Sequence, residues 1–250
     1  MSKSVVICEG RRDLALLQYY LRRALSWSDV IDRSRQRRAI RHPRQQSRLL
    51  EKGKDELTIM SSGGAGNIHK ALEGVLKRIK NTPPDGSDAY DNIIVVTDRD
   101  EDETESVMLK KLSDTLSRLG ASTESDLSNS SWTECRITTK TDIELSFRVQ
   151  VLIIPFDENG AIETFLLEAV SRENAYDAEI VIKSKEFAGA ADPEERYLTK
   201  RSYRTKAAFD AFFSIRTAPE QFNERQSVFL NVDWENYSTV NEAFKAFEEL

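Results

Sequence analysis

The sequence has few of the residues that most often build metal or thiol chemistry. Its 250 residues include two cysteines, Cys8 and Cys135, and two histidines, His42 and His69. Two cysteines are too few for a disulfide framework or, with histidines so far apart, for a zinc site. We therefore expect neither zinc catalysis nor a catalytic Cys–His pair.

Long apolar runs are also missing. No stretch approaches the roughly 20 consecutive apolar residues that a membrane-spanning helix needs, and the N-terminus becomes acidic too soon for a signal peptide. The composition, 39% hydrophobic and 31% charged, is typical of a soluble protein. We expect a cytoplasmic protein without membrane contact, and the sequence does not indicate its oligomeric state.

Acids outnumber basic residues overall, 42 to 36, but positive charge is concentrated in one segment. The net charge is −6, yet residues 33–54 carry nine Lys or Arg and one acid. We interpret residues 26–56 as an insertion, partly helical at most, that is either a solvated loop or a contact surface for nucleic acid or an acidic partner protein. The candidate nucleic-acid-binding residues are Arg35, Arg37, Arg38 and Arg41.

The most informative stretch is Ile93–Glu103, with the sequence IIVVTDRDEDE. Its four leading apolar residues predict a strand buried on both faces of a parallel sheet. Acids follow at Asp98, Asp100 and Asp102, and α/β sheets bind ligands at the carboxyl ends of their strands. Such an Asp-x-Asp loop can supply ligands to Mg²⁺. Alternatively, these acids only complement the dipole of the helix that follows.

Two earlier strands also lead into turns that could contribute to a functional site. Ser4–Cys8 predicts a buried strand that ends at Glu9, in the turn before a helix. Leu57–Met60 predicts a second strand, followed by a glycine-rich turn whose N–H groups could bind phosphate. The turn matches neither a Walker loop nor a GxGxxG fingerprint, and its glycines could instead allow close strand-to-helix packing. The candidate phosphate-binding residues are Gly63, Gly64 and Gly66.

The second half of the chain changes character near residue 170. Val151–Ile154 predicts another buried strand, and a helix with Glu163 in its first turn follows it. Beyond Ser171 the alternation of strand and helix stops, and a helical pattern begins at Lys206. We predict an α/β domain over residues 1–170, with a mainly parallel sheet of about four strands flanked by helices. Residues 171–250 form a mainly helical extension.

In this order, the strand ending in Glu9-Gly10, the glycine-rich turn and the strand ending in Asp98-Arg99-Asp100 resemble the Toprim domain. Topoisomerases, bacterial primases, a ribosomal RNA maturation nuclease and the overcoming-lysogenization-defect nucleases share this Rossmann-like fold. The resemblance covers about residues 4–169. The helix entry Gly160-Ala161-Ile162-Glu163 is similar to small stand-alone Toprim-like families of the DUF3226 kind.

The resemblance implies a role for each acid. Asp98 and Asp100 would hold Mg²⁺ or Mn²⁺, and Glu9 would be a second metal ligand or the general acid/base. Further candidates are Asp102 and Glu163 as metal ligands, and Lys206 as a cation facing the charge that develops on the phosphoryl group.

The resemblance to Toprim proteins leaves three functions open. Topoisomerases need large gating domains and primases a zinc module, so we favour metal-dependent hydrolysis of phosphodiester bonds in DNA or RNA, with a separate ATPase as a candidate partner. The alternative is a non-catalytic module that binds nucleic acid or a partner protein through residues 33–54. A third hypothesis is an enzyme that binds a nucleotide or small phosphate at the glycine-rich turn.

Overall fold

The computed structural model describes residues 2–31, 46–218 and 232–250. The strands are β1 (Lys3–Cys8), β2 (Ser28–Asp29), β3 (Ser47–Lys52), β4 (Asp55–Ser61), β5 (Asn92–Asp98), β6 (Ala121–Thr123), β7 (Trp132–Thr138) and β8 (Glu144–Ile154). The α-helices are α1 (Arg11–Ala24), α2 (Ile68–Lys80), α3 (Thr104–Arg118), α4 (Ile162–Glu173), α5 (Ala175–Ala190), α6 (Arg201–Arg216) and α7 (Ser238–Ala243). Short 3-10 helices span Ala65–Asn67, Trp234–Asn236 and Lys245–Glu249.

All eight strands belong to one mixed sheet in the order β2-β3-β4-β1-β5-β8-β7-β6. Its four central strands, β4, β1, β5 and β8, run parallel. The two strands on each side pair antiparallel to their inner neighbours. The prediction of an α/β fold is therefore confirmed. The prediction of about four, mainly parallel strands is wrong, because antiparallel edge strands double the size of the sheet.

Part of the predicted insertion is a strand of this sheet. β3 lies within residues 26–56 and pairs antiparallel with β4, with Leu50 opposite Leu57. Leu49 and Leu50 are buried, whereas the residues on either side of them are charged. The prediction of partly helical structure at most is wrong for residues 47–52, because this segment pairs with β2 on one side and with β4 on the other and buries two leucines.

The two faces of the sheet carry separate cores because successive side chains of a strand point to opposite faces. Val5 and Ile7 of β1 pack with α2 and α3, whereas Val6 and Cys8 pack with α1, α4 and the helices after residue 170. The residues after 170 bury large aromatic side chains, among them Trp234, in this second core. Burial of one large apolar side chain stabilises a fold by about 1.5 to 3 kcal/mol. The C-terminal helices therefore cover one face of the sheet.

Within the described part of the chain, none of the helices has the length and apolarity that crossing a membrane requires.

Candidate functional site

The site is built first on Glu9, the residue that follows β1. Its Oε1 accepts hydrogen bonds from the Thr97 hydroxyl at 2.5 Å and from the Asp98 backbone N–H at 2.8 Å. The parallel pairing of β1 and β5, with Ile7 opposite Val95, brings the carboxyl ends of both strands to the same edge. Burial raises the pKa of Glu9. Glu9 and Asp98 are therefore neighbours, as their positions after buried strands predicted.

Asp98, the last residue of β5, connects this strand to α4. Its Oδ1 accepts a hydrogen bond from the backbone N–H of Ile162, the first residue of α4, at 2.9 Å. Burial and then the nearby carboxylates of Glu9 and Asp13 raise the pKa of Asp98 to about 9. Two carboxylates about 4 Å apart repel by roughly 4 kcal/mol at an effective dielectric near 20. A proton or a cation at this position would relieve that repulsion.

Asp13 is a third acid at this site, which the sequence analysis did not select. It lies in the first turn of α1, is 9% exposed, and its Oδ2 accepts a hydrogen bond from the Gly10 N–H at 2.7 Å. Burial raises the pKa of Asp13, an effect that the Gly10 hydrogen bond and the nearby Lys206 partly offset. The signal that could have identified it is the spacing Glu9-Gly10-x-x-Asp13, which places two acids at one strand-to-helix turn.

Glu163 and Lys206 come together beside these acids. Glu163, in the first turn of α4, is 3% exposed, and its Oε1 lies 3.5 Å from Nη1 of Arg12. Burial raises the pKa of Glu163, while its own backbone N–H and the positive charge of Lys206 on α6 lower it. Arg12 also contacts Asp210 of α6 at 3.0 Å. We call the buried Asp13 and Glu163, together with the half-buried Glu9 and Asp98, the buried acid cluster.

The acids that follow Asp98 lie outside this cluster. Asp100 is exposed, its backbone carbonyl accepts a hydrogen bond from Arg201 at 2.6 Å, and its charge contributes to the raised pKa of Glu9 after burial and the other neighbours. Asp102 is exposed, and its carboxylate accepts a hydrogen bond from Asn159. The structure therefore places Asp100 near Glu9 but brings Asp102 to the loop before α4.

The glycine-rich turn is hydrogen-bonded to the backbone of the turn that contains Glu9. The N–H groups of Gly63 and Gly64 donate to the carbonyl of Glu9 at 2.9 and 2.8 Å, and the Ser62 N–H donates to Cys8 at 2.7 Å. Gly63 and Gly64 have positive φ angles, a conformation that glycine adopts without steric cost. Two of the three N–H groups predicted to bind phosphate are thus already paired. Gly66 is exposed, and phosphate binding by this turn stays a prediction.

The predicted nucleic-acid-binding residues cannot be placed. Arg35, Arg37, Arg38 and Arg41 lie outside the described residues. Their role stays a prediction.

The oxygen donors of the buried acid cluster fit a hard divalent cation, although they do not enclose one. Among residues 2–31, 46–218 and 232–250, no three His, Cys, Asp or Glu side chains form a group that could hold a metal ion. Mg²⁺, however, is usually bound by one or two carboxylates together with waters and substrate phosphates. Hydrogen bonds to the backbone engage Oε1 of Glu9 and Oδ1 of Asp98, so each carboxylate keeps its second oxygen.

Comparison with known proteins gives a family and a fold. A family model described as "Protein of unknown function (DUF3226)" matches residues 3–248. A crystal structure of a hypothetical protein from Pyrococcus horikoshii OT3 is similar over 100% of this chain and 95% of its own, with 16% sequence identity and a TM-score of 0.53. At that identity the likeness shows a shared fold alone. No curated protein matches the chain.

A second structural match carries no argument about the fold. It is to a glyoxalase/bleomycin resistance protein/dioxygenase family enzyme from Burkholderia phytofirmans PsJN, over 61% of this chain and 98% of its own. The sequence identity is 12% and the TM-score is 0.19.

Proposed function

The chain belongs to the DUF3226 family, and from this premise we propose that it is a Toprim-like nuclease that hydrolyses phosphodiester bonds of DNA or RNA with Mg²⁺ or Mn²⁺. The observation that carries the proposal is the contact between Glu9 and Asp98 across two neighbouring parallel strands. A Glu after one strand and an Asp-x-Asp after the next is the pattern that resembles the Toprim domain. Fold alone does not fix function, so the proposal depends on these residues.

Each residue of the site has a proposed task. The second oxygens of Glu9 and Asp98 would hold the cation, with Asp100 exposed beside them as a further ligand. A bound divalent cation polarises a phosphoryl oxygen and lowers the pKa of a bound water. Burial raises the pKa of Glu9, a shift that favours proton uptake, and Glu9 would alternatively act as the general acid/base. Lys206 would place positive charge towards the phosphoryl group.

The test is cleavage of labelled DNA and RNA in Mg²⁺ or Mn²⁺ by the wild type and by Asp98→Asn and Glu9→Gln. Both amides keep the oxygen that accepts the observed hydrogen bonds, so we expect the fold to persist. Turnover should fall at least about 100-fold, because the negative charge that holds the cation is lost. Asp114→Asn, an exposed acid on α3, is the matched control and should cut like the wild type.

Equal cleavage by Asp98→Asn and the wild type would contradict the proposal. EDTA should abolish the activity of the wild type and of Asp114→Asn alike. If a separate ATPase is a partner, its addition should increase cleavage by the wild type and leave Asp98→Asn inactive.

The second candidate is a non-catalytic module that binds nucleic acid or a partner protein through residues 33–54. The observation that favours it is the lack of a three-ligand metal group among the described residues. Calorimetric titration with Mg²⁺ and Mn²⁺ separates the two candidates. A nuclease should bind the metal and lose this binding in Asp98→Asn, whereas the module should give the same small heats with both proteins.

A further inference from the structure

A polar groove lies between α1 and β3, on the side of the sheet that adjoins Glu9. Its volume is about 380 Å³. The polar lining residues of this α1–β3 groove are Arg11, Gln18, Arg22, Asp29, Gln46 and Arg48, and Leu14, Ala15 and Tyr19 complete its lining. Three of the nine lining residues are arginines and one is an acid, in a protein whose net charge is −6. The groove is therefore a local basic surface on an acidic protein.

One wall of the groove is a single face of α1. Arg11, Ala15, Gln18 and Arg22 follow the spacing i, i+4, i+7 and i+11, which keeps side chains on one side of a helix. At 1.5 Å per residue, Arg11 and Arg22 are separated by about 16 Å along the helix axis. This is long enough to contact more than one phosphate of an extended strand. Arg11 is the first residue of α1 and is two residues after Glu9, so this end of the wall begins at the turn that holds Glu9.

The opposite wall begins at the same edge of the sheet. β3 runs antiparallel to β4, and Ser47 at its start pairs with Met60 near the end of β4. The carbonyl of Gln46 accepts a hydrogen bond from the Ser61 N–H at 2.9 Å. The start of β3 therefore lies at the carboxyl edge of the parallel strands, where Glu9 also lies. Arg48 is the basic residue that this wall contributes.

Among the described residues, the charge of the groove is only partly neutralised. Its one acidic lining residue, Asp29, is paired with Arg22 at 2.8 Å and with the Gln18 amide at 2.5 Å. Arg11 and Arg48 are exposed, and Nη1 of Arg48 donates to the Ser47 carbonyl, which leaves its charge in place. Arginine presents several N–H donors in a planar fork that matches a phosphate. The ligand that complements this groove is a polyanion with spaced phosphates.

We propose that the α1–β3 groove binds the sugar-phosphate backbone of a nucleic-acid strand and leads that strand past Arg11 to the buried acid cluster. This inference rests on the proposed nuclease function and names the surface that would hold its substrate. The arginines contact phosphates, so the groove binds without base specificity. Binding by this surface needs neither metal nor turnover.

The experiment measures binding in EDTA, where the proposed chemistry cannot interfere. Fluorescence anisotropy is recorded with fluorescein-labelled single-stranded DNA, single-stranded RNA and duplex DNA at several salt concentrations. The proteins are the wild type, Arg11→Gln/Arg48→Gln, and Lys110→Gln/Lys111→Gln. The last pair removes the same charge from exposed positions on α3, which packs on the other face of the sheet.

The groove variant should bind at least about 10-fold more weakly at low salt. The slope of log K against log salt should become less steep by about 1.4 for a single strand, since two phosphate contacts are lost. The α3 variant should bind within about twofold of the wild type. Arg11→Lys/Arg48→Lys keeps both charges and should recover most of the affinity.

Equal weakening by the groove variant and the α3 variant would overturn the inference, because net charge would then explain the loss. Unchanged binding by the groove variant, or no binding by the wild type to any probe, would overturn it as well. The proposed function fails separately, through unchanged cleavage by Asp98→Asn in Mg²⁺. The two failures can therefore be told apart.

Discussion

Two groups of acids lie close together in this molecule but differ in environment. The buried acid cluster gathers four residues, one from the turn after β1 and one each from α1, β5 and α4, whereas Asp100, Glu101, Asp102 and Glu103 are consecutive in sequence and exposed. The exposed group has the higher density of acids along the chain. The dispersed group has the raised pKa values, because burial raises the pKa of all four acids and neighbouring carboxylates raise it further at Glu9, Asp98 and Glu163. The acids suited to chemistry are therefore those that the fold brings together, and not those that are densest along the chain.

The comparison also indicates which acids lower the stability of the folded protein. Buried carboxylates that repel one another destabilise the folded protein when they are charged. Exposed acids are screened by water and contribute little. Binding of a cation to the buried acid cluster would therefore stabilise the fold as well as prepare the site.

The largest expected effect is that of Asp98→Asn on the stability of the metal-free protein. The folded-state pKa of Asp98 is raised to about 9, so the group favours folding below its unfolded pKa and loses that contribution as the pH rises towards 9. Asparagine does not titrate and keeps the bond to Ile162. Near pH 7 in EDTA, the variant should be more stable by on the order of 1 to 4 kcal/mol in urea unfolding.

The pH dependence is the control for this prediction. The difference between Asp98→Asn and the wild type should vanish below about pH 4, where both side chains are neutral. A constant difference across pH 4 to 9 would show that packing, and not charge, separates the two proteins. Excess Mg²⁺ should reduce the advantage of the variant, because only the wild type gains from the cation.

The next largest effect is expected at Gly160, where the chain enters α4. A Cβ added there would lie 2.9 Å from Cβ and Oγ1 of Thr164, closer than side chains pack. Gly160→Ala should displace the start of α4 and cost about 1 to 3 kcal/mol in thermal or urea unfolding. Gly189→Ala is the matched control, because its Cβ would meet nothing within 4 Å and lies within α5. Gly189→Ala should stabilise the folded protein by about 0.5 to 1 kcal/mol.

The displacement of α4 links Gly160 to the buried acid cluster, since Ile162 donates to Asp98. The proposed cleavage activity of Gly160→Ala should fall together with its stability. An unfolding free energy equal to that of the wild type would show that Thr164 can move aside without cost.

The parallel centre of the sheet was predictable because its strands are continuous apolar runs. Val5, Ile7, Ile93 and Val95 are all fully buried, and the sequence marked both of their strands. The antiparallel strands outside this centre were harder to predict. β3 carries two buried leucines between charged residues, and its pairing with β4 is a contact that no local pattern specifies. Such short strands depend on their neighbours rather than on their own sequence.

The site was predictable where an acid directly follows a buried strand. Glu9 and Asp98 met this condition, and the structure brings them together. Asp13 did not meet it, because it lies in the first turn of a helix. An acid at that position is usually explained by the helix dipole alone. The burial of Asp13 depends on the packing around it, and its pKa is lowered by the charge of Lys206, 193 positions later in the chain. Such long-range neighbours cannot be inferred from spacing.

A smaller effect is expected at Thr97, whose hydroxyl donates to Glu9 Oε1 and is buried. Thr97→Val preserves the shape of the side chain but removes this donor. The variant should therefore lower the free energy of unfolding in urea by about 1 to 2 kcal/mol. The loss should grow as the pH rises through the pKa of Glu9, because the hydroxyl favours the charged form. Thr97→Ser keeps the donor and should behave like the wild type within about 0.5 kcal/mol. Equal losses in both variants would assign the effect to packing.

The smallest effect is expected at Asp102, an exposed acid whose partner is Asn159. Asp102→Asn should change the free energy of unfolding by less than about 0.5 kcal/mol, as surface substitutions usually do. Its rate of metal-dependent cleavage should stay within about threefold of the wild type. A loss comparable to that of Asp98→Asn would show that the cation site extends into the exposed loop, as the resemblance to Toprim proteins implies. The division between buried and exposed acids would then describe only the metal-free protein.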